Sequence, residues 1–200
     1  MVDAVSIRIH IHTIGSYLAM SFLMLALFQG IFMASNGTTC ITYLGLKAFC
    51  SQMEPTTNLL DVALLCDIQK SNINIAQSFH YCALFFSAAA AVMNILANAG
   101  RMPKFQLPSY LCGAIVMVST ILCWIMLATV QQMNLCRTGS LRDWGWYLGS
   151  GFALVVCASF FQCVGTTTSV LLYHLLEGQP LLPELDTNEE EEAKEMKQVS

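Results

Sequence analysis

Four long apolar segments constrain the fold of this chain more than any other feature. They cover about residues 14–34, 75–99, 109–130 and 144–176 of the 200-residue sequence. A helix of roughly 20 apolar residues crosses a hydrocarbon core about 30 Å thick, so each segment is long enough to span a bilayer. A cleavable signal peptide would carry a shorter apolar run, so the first segment is interpreted as an uncleaved span. We therefore predict an all-α membrane domain over residues 1–176, built as a four-transmembrane-helix bundle.

The charged residues support this interpretation and restrict the partners. Only 11% of residues are charged, against 56% hydrophobic, and the net charge of −4 owes most to the acidic run 189–192. Residues 177–200 contain too few apolar groups to form a core, and we predict a disordered acidic tail in the cytoplasm. No basic patch with interleaved aromatics is present, so the expected partner is the lipid bilayer and no nucleic acid is expected.

The positions of the cysteines favour one orientation. Four of the nine cysteines fall in the predicted loops 35–74 and 131–143, which four spans place on one side of the membrane. Basic residues do not decide the orientation, because three lie on one side and four on the other. Disulfides persist in oxidising compartments, so we predict that both loops are extracellular and both termini cytoplasmic, at the plasma membrane.

Two disulfides are predicted from these loop cysteines. Cys40 and Cys50 are ten positions apart with Gly45 at the midpoint, where a glycine lets the chain reverse. Closing this loop would remove unfolded-state entropy worth about 2.8 kcal/mol. Cys66 and Cys136 are the second candidate pair. Four cysteines allow three connectivities, and the sequence does not choose among them.

The segment Cys40-Ile-Thr-Tyr-Leu-Gly-Leu-Lys-Ala-Phe-Cys50 resembles the signature of the amastins, four-span surface glycoproteins of kinetoplastid parasites. The signature has a basic residue or Gln where this chain has Lys47. Tyr43, Leu44 and Phe49 depart from the pattern. The positions that match are Cys40, Ile41, Thr42, Gly45, Lys47 and Cys50.

The resemblance extends to the four-span layout and to the total length. It implies properties that the residues alone do not predict. It implies placement at the plasma membrane and no enzymatic activity. It also implies a distant likeness to the claudins, and hence a small disulfide-closed extracellular β element in the first loop.

Catalytic and metal sites are not indicated by the sequence. A thiol oxidase would normally use a close Cys-x-x-Cys pair, and the nearest outer pair is ten apart. The four histidines, His10, His12, His80 and His174, lack the spacing of a metal or haem site and are interpreted as interfacial. We predict no catalytic residue, no metal and no cofactor.

The predicted function is that of a multi-pass surface protein that organises or contacts membranes. Its contact would be with a host cell or with a partner in a membrane. The disulfide-closed first loop would present the partner surface, and a homo-oligomer is compatible with this arrangement. The residues expected to form that surface are Tyr43, Leu44, Lys47, Phe49, Arg142, Trp144 and Trp146.

An alternative function is a transporter or channel for a small solute or ion, formed by the helix bundle. Gln29, Asn94, Asn98 and Gln162 are polar residues within or near the ends of the spans. The spans contain no Asp, Glu, Lys or Arg that would suggest an ion pathway. The polar groups are therefore interpreted as interhelical hydrogen-bonding groups.

Two short motifs suggest modification and sorting. Asn36-Gly-Thr38 is an acceptor sequon for N-glycosylation, although a glycan so close to the first span would crowd the headgroups. Glu177 followed by Leu181 and Leu182 resembles an acidic dileucine signal for sorting to endosomes or lysosomes.

Overall fold

Four long helices form the bundle. The structure is a computed structural model that describes residues 4–52, 54–63, 65–98, 106–134 and 139–177. The helices are α1 (Ala4–Phe28), α2 (Asp67–Asn98), α3 (Gln106–Gln132) and α4 (Ser150–Glu177). Each contains a stretch long and apolar enough to cross a membrane, at His10–Phe28, Asp67–Ala97, Leu107–Gln132 and Ser150–Leu172. The four long apolar helices that the sequence predicted are therefore present, as a four-span protein requires.

The helix bounds differ from the predicted spans by six or more residues at four places. Helix α1 begins at Ala4, ten residues before the predicted 14. Helix α1 ends at Phe28, whereas the first span was placed at 14–34, and α4 begins at Ser150, whereas the fourth was placed at 144–176. Some of the apolar residues left outside these helices, such as Phe32 and Trp146, lie in strands and are buried on the bundle. Hydropathy alone does not separate buried strands from spans. Helix α2 begins at Asp67, eight residues before the predicted 75, because a polar first turn extends it beyond the apolar stretch.

A five-stranded antiparallel sheet covers one end of the bundle. Its strands are β1 (Phe32–Ala34), β2 (Cys40–Ile41), β3 (Gly45–Lys47), β4 (Thr57–Asn58) and β5 (Trp146–Leu148), in the order β4-β3-β2-β1-β5. Four of these strands follow α1. The fifth comes from the segment between α3 and α4 and pairs with β1, Met33 opposite Tyr147. The segment after α1 and the segment between α3 and α4 therefore join in a single sheet.

The main apolar core lies where the sheet meets the helices. Phe32, Ile41 and Tyr43 from the sheet region pack with residues such as Leu127 on α3 and Val155 on α4, and all of them are buried. We call this region, where α1 and α3 end and α2 and α4 begin, the sheet end of the bundle. Because the sheet and the helices share one core, the position of the sheet on the bundle is fixed by packing.

Backbone contacts between α1 and α4 hold the two helices close together. A Cβ at Gly15 would lie 3.1 Å from the Cα of Gly165, so the helices cross at a pair of glycines. At the sheet end, the N–H groups of Gly149 and Gly151 donate to the carbonyls of Ile31 (2.6 Å) and Gly30 (2.9 Å). These bonds satisfy backbone donors at the start of α4 that have no partner within the helix.

The signature segment as candidate functional site

The turn between β2 and β3 explains two positions of the signature segment, residues 40–50. The Thr42 hydroxyl accepts the backbone N–H groups of Leu44 and Gly45, each at 3.2 Å, and donates to the Gly45 carbonyl at 3.0 Å. Gly45 has a φ of +150°, and a Cβ there would collide with the backbone carbonyl of Thr57 on β4. The turn therefore requires a hydroxyl at Thr42 and a glycine at Gly45.

Tyr43 inserts from this turn into the bundle. It is 1% exposed, its hydroxyl lies 3.0 Å from the Cys123 Sγ on α3, and its ring centroid lies 4.7 Å from that of His80 on α2. His80 in turn donates from Nε2 to the Leu23 carbonyl of α1 at 3.0 Å. Burial, and then the neighbouring Cys123, raise the pKa of Tyr43 well above its usual value, so the hydroxyl remains protonated. The prediction of Tyr43 as partner surface is therefore corrected, because the side chain is core.

Lys47 attaches the sheet to the end of α1. Its side chain is 1% exposed, and its Nζ donates to the carbonyl of Phe28, the last residue of that helix, at 2.9 Å. A cation at this position interacts favourably with the negative end of the helix dipole and satisfies a carbonyl that has no partner within the helix. Lys, Arg and Gln all provide a side-chain N–H donor, the property that this contact requires. Lys47 is thus a structural contact, and its assignment to the partner surface is corrected.

Cys40 and Cys50 lie side by side as free thiols. The N–H of Cys50 donates to the Thr38 carbonyl at 2.8 Å, which brings Cys50 next to Cys40 on β2. Burial, followed by the adjacent Cys50 thiol, raises the pKa of Cys40 to about 12, and nearby Lys47 opposes the shift. The predicted disulfide is not formed in this structure, although the two cysteines are neighbours. It stays a prediction.

Of the second predicted pair, only Cys66 lies among the described residues. Cys66, which directly precedes α2, is disulfide-bonded, whereas the seven other cysteines of the described part of the chain are free thiols. Cys136 lies outside the described residues.

The comparison with protein families agrees with this geometry. A family model described as Amastin surface glycoprotein matches residues 11–168, which include all of the signature segment and most of the four helices. The chain belongs to the amastin family. No curated protein and no solved structure matches it. It is therefore a multi-pass membrane protein of a surface glycoprotein family, as the sequence predicted.

The exposed part of this amastin at the sheet end differs from the predicted partner surface. Trp146 is 8% exposed and packs in the core, because it alternates along β5 with Tyr147, which is exposed. Leu44, Phe49, Arg142 and Trp144 are exposed, as expected. We define the exposed aromatic set as Phe49, Trp144 and Tyr147. Tyr147 was missed because residues 144–148 were interpreted as helix, and the two-residue period of a strand is the signal that could have found it.

The turn before β5 holds Trp144 at this surface. The carboxylate of Asp143 accepts the Ser140 hydroxyl at 2.7 Å and the Ser140 backbone N–H at 2.9 Å. These two bonds lower the pKa of Asp143, an exposed group. Gly145 follows with a φ of +77° and donates its N–H to the Arg142 carbonyl at 3.0 Å, which completes the turn.

A buried polar cluster lies between the helices, away from the sheet. The Ser109 hydroxyl donates to the Asn94 Oδ1 at 2.6 Å, and the Asn94 amide donates to the His12 Nδ1 at 2.8 Å. This direction of donation places the imidazole proton on Nε2. His12 Nε2 and Gln162 Oε1 are buried and have no partner among the described residues. A Cβ at Gly113 would lie 2.9 Å from His12 Nε2 and 2.8 Å from the Gln162 amide nitrogen, so both groups face this glycine.

Two of the four histidines are buried within the bundle, an environment that the sequence analysis did not predict. His12 and His80 are fully buried, whereas His10 is exposed, and the side chain of His174 lies outside those described. Hydropathy could not show this, because a single polar residue barely changes the mean of a long apolar window. In the described part of the chain, no three His, Cys, Asp or Glu side chains gather to hold a metal ion.

Of the two short motifs, the glycosylation sequon is described by the structure and most of the dileucine segment is not. Asn36 is exposed in the turn after β1, where its Oδ1 accepts the Thr38 N–H at 3.1 Å. Helix α4 ends at Glu177. Leu181 and Leu182 of the predicted sorting signal lie outside the described residues, as does the tail 178–200. Glycosylation and sorting remain predictions.

Proposed function

We propose that this amastin contacts a host cell or another membrane through the exposed aromatic set at the sheet end of its bundle. The observation that carries the proposal is that Phe49, which is 57% exposed, and the exposed Trp144 and Tyr147 all lie outside the four candidate spans. Large aromatic side chains exposed to water are unfavourable unless a partner covers them. They are also the residues that most often dominate binding energy at protein interfaces.

The signature segment supports this function by fixing the sheet in place. Tyr43 inserts between α2 and α3, and Lys47 binds the end of α1, so the hairpin is held at two points. A rigidly held surface loses less conformational entropy when a partner binds. The signature is therefore the anchor of the surface, and the contact residues lie beside it.

Disulfides would add to this rigidity on an oxidising side of the membrane. The neighbouring thiols of Cys40 and Cys50 would close the first loop, and Cys136 is the partner that we propose for the disulfide of Cys66. The second bond would tie the segment before α2 to the segment between α3 and α4. We accordingly place the sheet end outside the cell and both termini in the cytoplasm.

Adhesion of vesicles tests the proposed contact surface. Proteoliposomes that contain the full-length chain are mixed with protein-free vesicles of phosphatidylcholine and phosphatidylserine, and separately with a monolayer of cultured mammalian cells. We expect the chain to increase attachment in at least one arm. Replacing Phe49, Trp144 and Tyr147 by serine should reduce that attachment at least fivefold.

The matched control is Phe160→Ser, which removes an aromatic ring that is 62% exposed but lies within the candidate span of α4. This variant should attach as the unmodified chain does. Equal attachment by the triple variant and the unmodified chain, at equal protein density, would refute the contact surface.

Localisation follows from two further measurements. A membrane-impermeant reagent should label an epitope inserted at Gln52 in intact cells, and should leave a C-terminal epitope unlabelled. Replacing Leu181 and Leu182 by alanine should increase the surface fraction if the dileucine segment sorts the chain to endosomes. Labelling of the C-terminal epitope alone would refute the orientation.

A transporter is the second candidate function, and the buried polar cluster favours it. Asn94 and Gln162 lie in the cluster around His12 that contains two unpartnered polar atoms. Polar side chains buried between membrane helices more often form hydrogen bonds that link the helices. Such side chains also line the pathways of transported solutes. Proton or solute flux in proteoliposomes that falls with Gln162→Leu would favour transport. Flux equal to that of empty liposomes would exclude it.

A further inference from the structure

A cavity of about 400 Å³ opens at the sheet end, beside the last turn of α1. Its volume is within the range of small-ligand pockets, roughly 300–1,000 Å³. The residues that line it are Phe28, Gln29, Lys47, Cys50, Ser51 and Gln52. Because the candidate span of α1 ends at Phe28, we expect the cavity at the depth where the hydrocarbon core gives way to lipid headgroups.

The described lining of the cavity carries a net positive charge. Lys47 is the one charged residue of its described lining, and no aspartate or glutamate lines it. An ammonium has three N–H donors, and one of them is used by the Phe28 carbonyl. Because the Lys47 side chain is only 1% exposed, its positive charge acts on the cavity from within the lining. The end of a helix carries about half a negative charge, so it offsets only part of the charge of Lys47. A buried cation with this residual charge favours an anion beside it.

The other polar groups of the cavity are suited to the same kind of ligand. Gln29 accepts the Ser150 hydroxyl through its Oε1 at 3.1 Å, so its amide N–H₂ is the end that is left for a ligand. Ser51 and Gln52 have exposed side chains with further donors. Phe28 adds an exposed apolar ring at the mouth.

From these features we propose that the cavity binds a phosphate group, with Lys47 supplying the positive charge and the exposed side chains of Gln29, Ser51 and Gln52 supplying hydrogen-bond donors. The phosphate comes from a lipid headgroup or from a free phosphate ester, and both provide the same anionic oxygens. Lysine is a common point-charge ligand of phosphate, and hydrogen bonds to charged groups are stronger than those between neutral groups. The site is separate from the exposed aromatic set, and binding here does not require adhesion to another membrane.

Three variants test the role of Lys47 and of the cavity. Lys47→Gln removes the charge but keeps an N–H donor for the Phe28 carbonyl, so the fold should be preserved. Gln52→Trp fills the cavity and leaves Lys47 in place. Lys70→Gln is the matched control, because it removes a lysine that does not line the cavity.

Binding is measured on the full-length chain in a neutral detergent by calorimetry. The two probes are dioctanoyl phosphatidic acid and inorganic phosphate. We expect Lys47→Gln and Gln52→Trp each to raise the Kd at least tenfold and Lys70→Gln to leave it unchanged, with affinity falling as salt rises. Binding of phosphatidic acid alone identifies a lipid site, and binding of both probes identifies a phosphate-ester site. Binding of neither probe, or an unchanged Kd for both Lys47→Gln and Gln52→Trp, overturns the proposal.

Discussion

Replacing Tyr43 by alanine separates an anchoring role of the signature segment from a contact role. The substitution removes an aromatic side chain that is buried between α2 and α3 and contacts Cys123 and His80. Truncating a buried aromatic residue to alanine costs about 3–5 kcal/mol, because the apolar contacts are lost and a cavity remains. For a chain of this size, we expect a fall in Tm on the order of 10 °C.

Thermal unfolding of the full-length protein in detergent, followed by tryptophan fluorescence, measures the effect. Tyr43→Phe keeps the ring and removes only the contact of the hydroxyl with the Cys123 Sγ, so it should cost about 1 kcal/mol. Phe49→Ala, two positions after Lys47, truncates a ring that is mostly exposed and should change the stability by less than about 0.5 kcal/mol.

The two roles predict opposite orders of effect. If the signature is an anchor, Tyr43→Ala destabilises the protein strongly and Phe49→Ala impairs attachment at normal stability. A Tyr43→Ala variant with an unchanged Tm and lost attachment would refute the insertion of Tyr43, and would restore it to the contact surface.

Three further predictions concern the same end of the molecule. Gly45→Ala should abolish correct folding, measured as the monodisperse fraction in size-exclusion chromatography, because a Cβ would collide with the Thr57 carbonyl. Alkylation mapping of protein from the cell surface should find Cys40 and Cys50 blocked as a disulfide. In reduced protein at pH 8 the Cys40 thiol should react slowly, since its pKa of about 12 keeps it protonated. Asp143 has a lowered pKa, so its contribution to the turn is present above the unfolded value and is lost as pH falls through the folded value. Trp144 fluorescence should therefore change only in acid, and Asp143→Asn should remove that change.

The sequence predicted the number of helices well because apolar length is a direct consequence of bilayer thickness. It misplaced the ends of α1 and α4, since Phe32 and Trp146 are as apolar as residues of a span and lie in strands that pack on the bundle. Strand β5 could not be predicted from local pattern. Its pairing with β1 joins residues more than a hundred positions apart, and tertiary packing decides it.

The sequence singled out the signature segment, but it did not predict that Tyr43 and Lys47 are buried structural residues. The signature segment was interpreted as a presented loop, because loop residues in a membrane protein are usually exposed. Burial of Tyr43 and Lys47 depends on which neighbours the helices provide, namely His80, Cys123 and the Phe28 carbonyl, and no local pattern contains that information. The matching residues of the signature and the exposed contact residues are therefore different sets.

The signature residues and the exposed residues of this amastin differ in how freely they can be substituted. Thr42 and Gly45 are required by the turn, through a hydroxyl that accepts N–H groups and through the absence of a Cβ. Position 47 requires a long side chain with an N–H donor for the end of α1, as Lys47 has. Phe49 has a mostly exposed side chain, so substitutions there cost little stability. The signature segment is thus constrained by the fold, whereas the proposed contact surface can change at Phe49 with little loss of stability. Grafting other residues at Phe49 should change the attachment partner without changing the Tm.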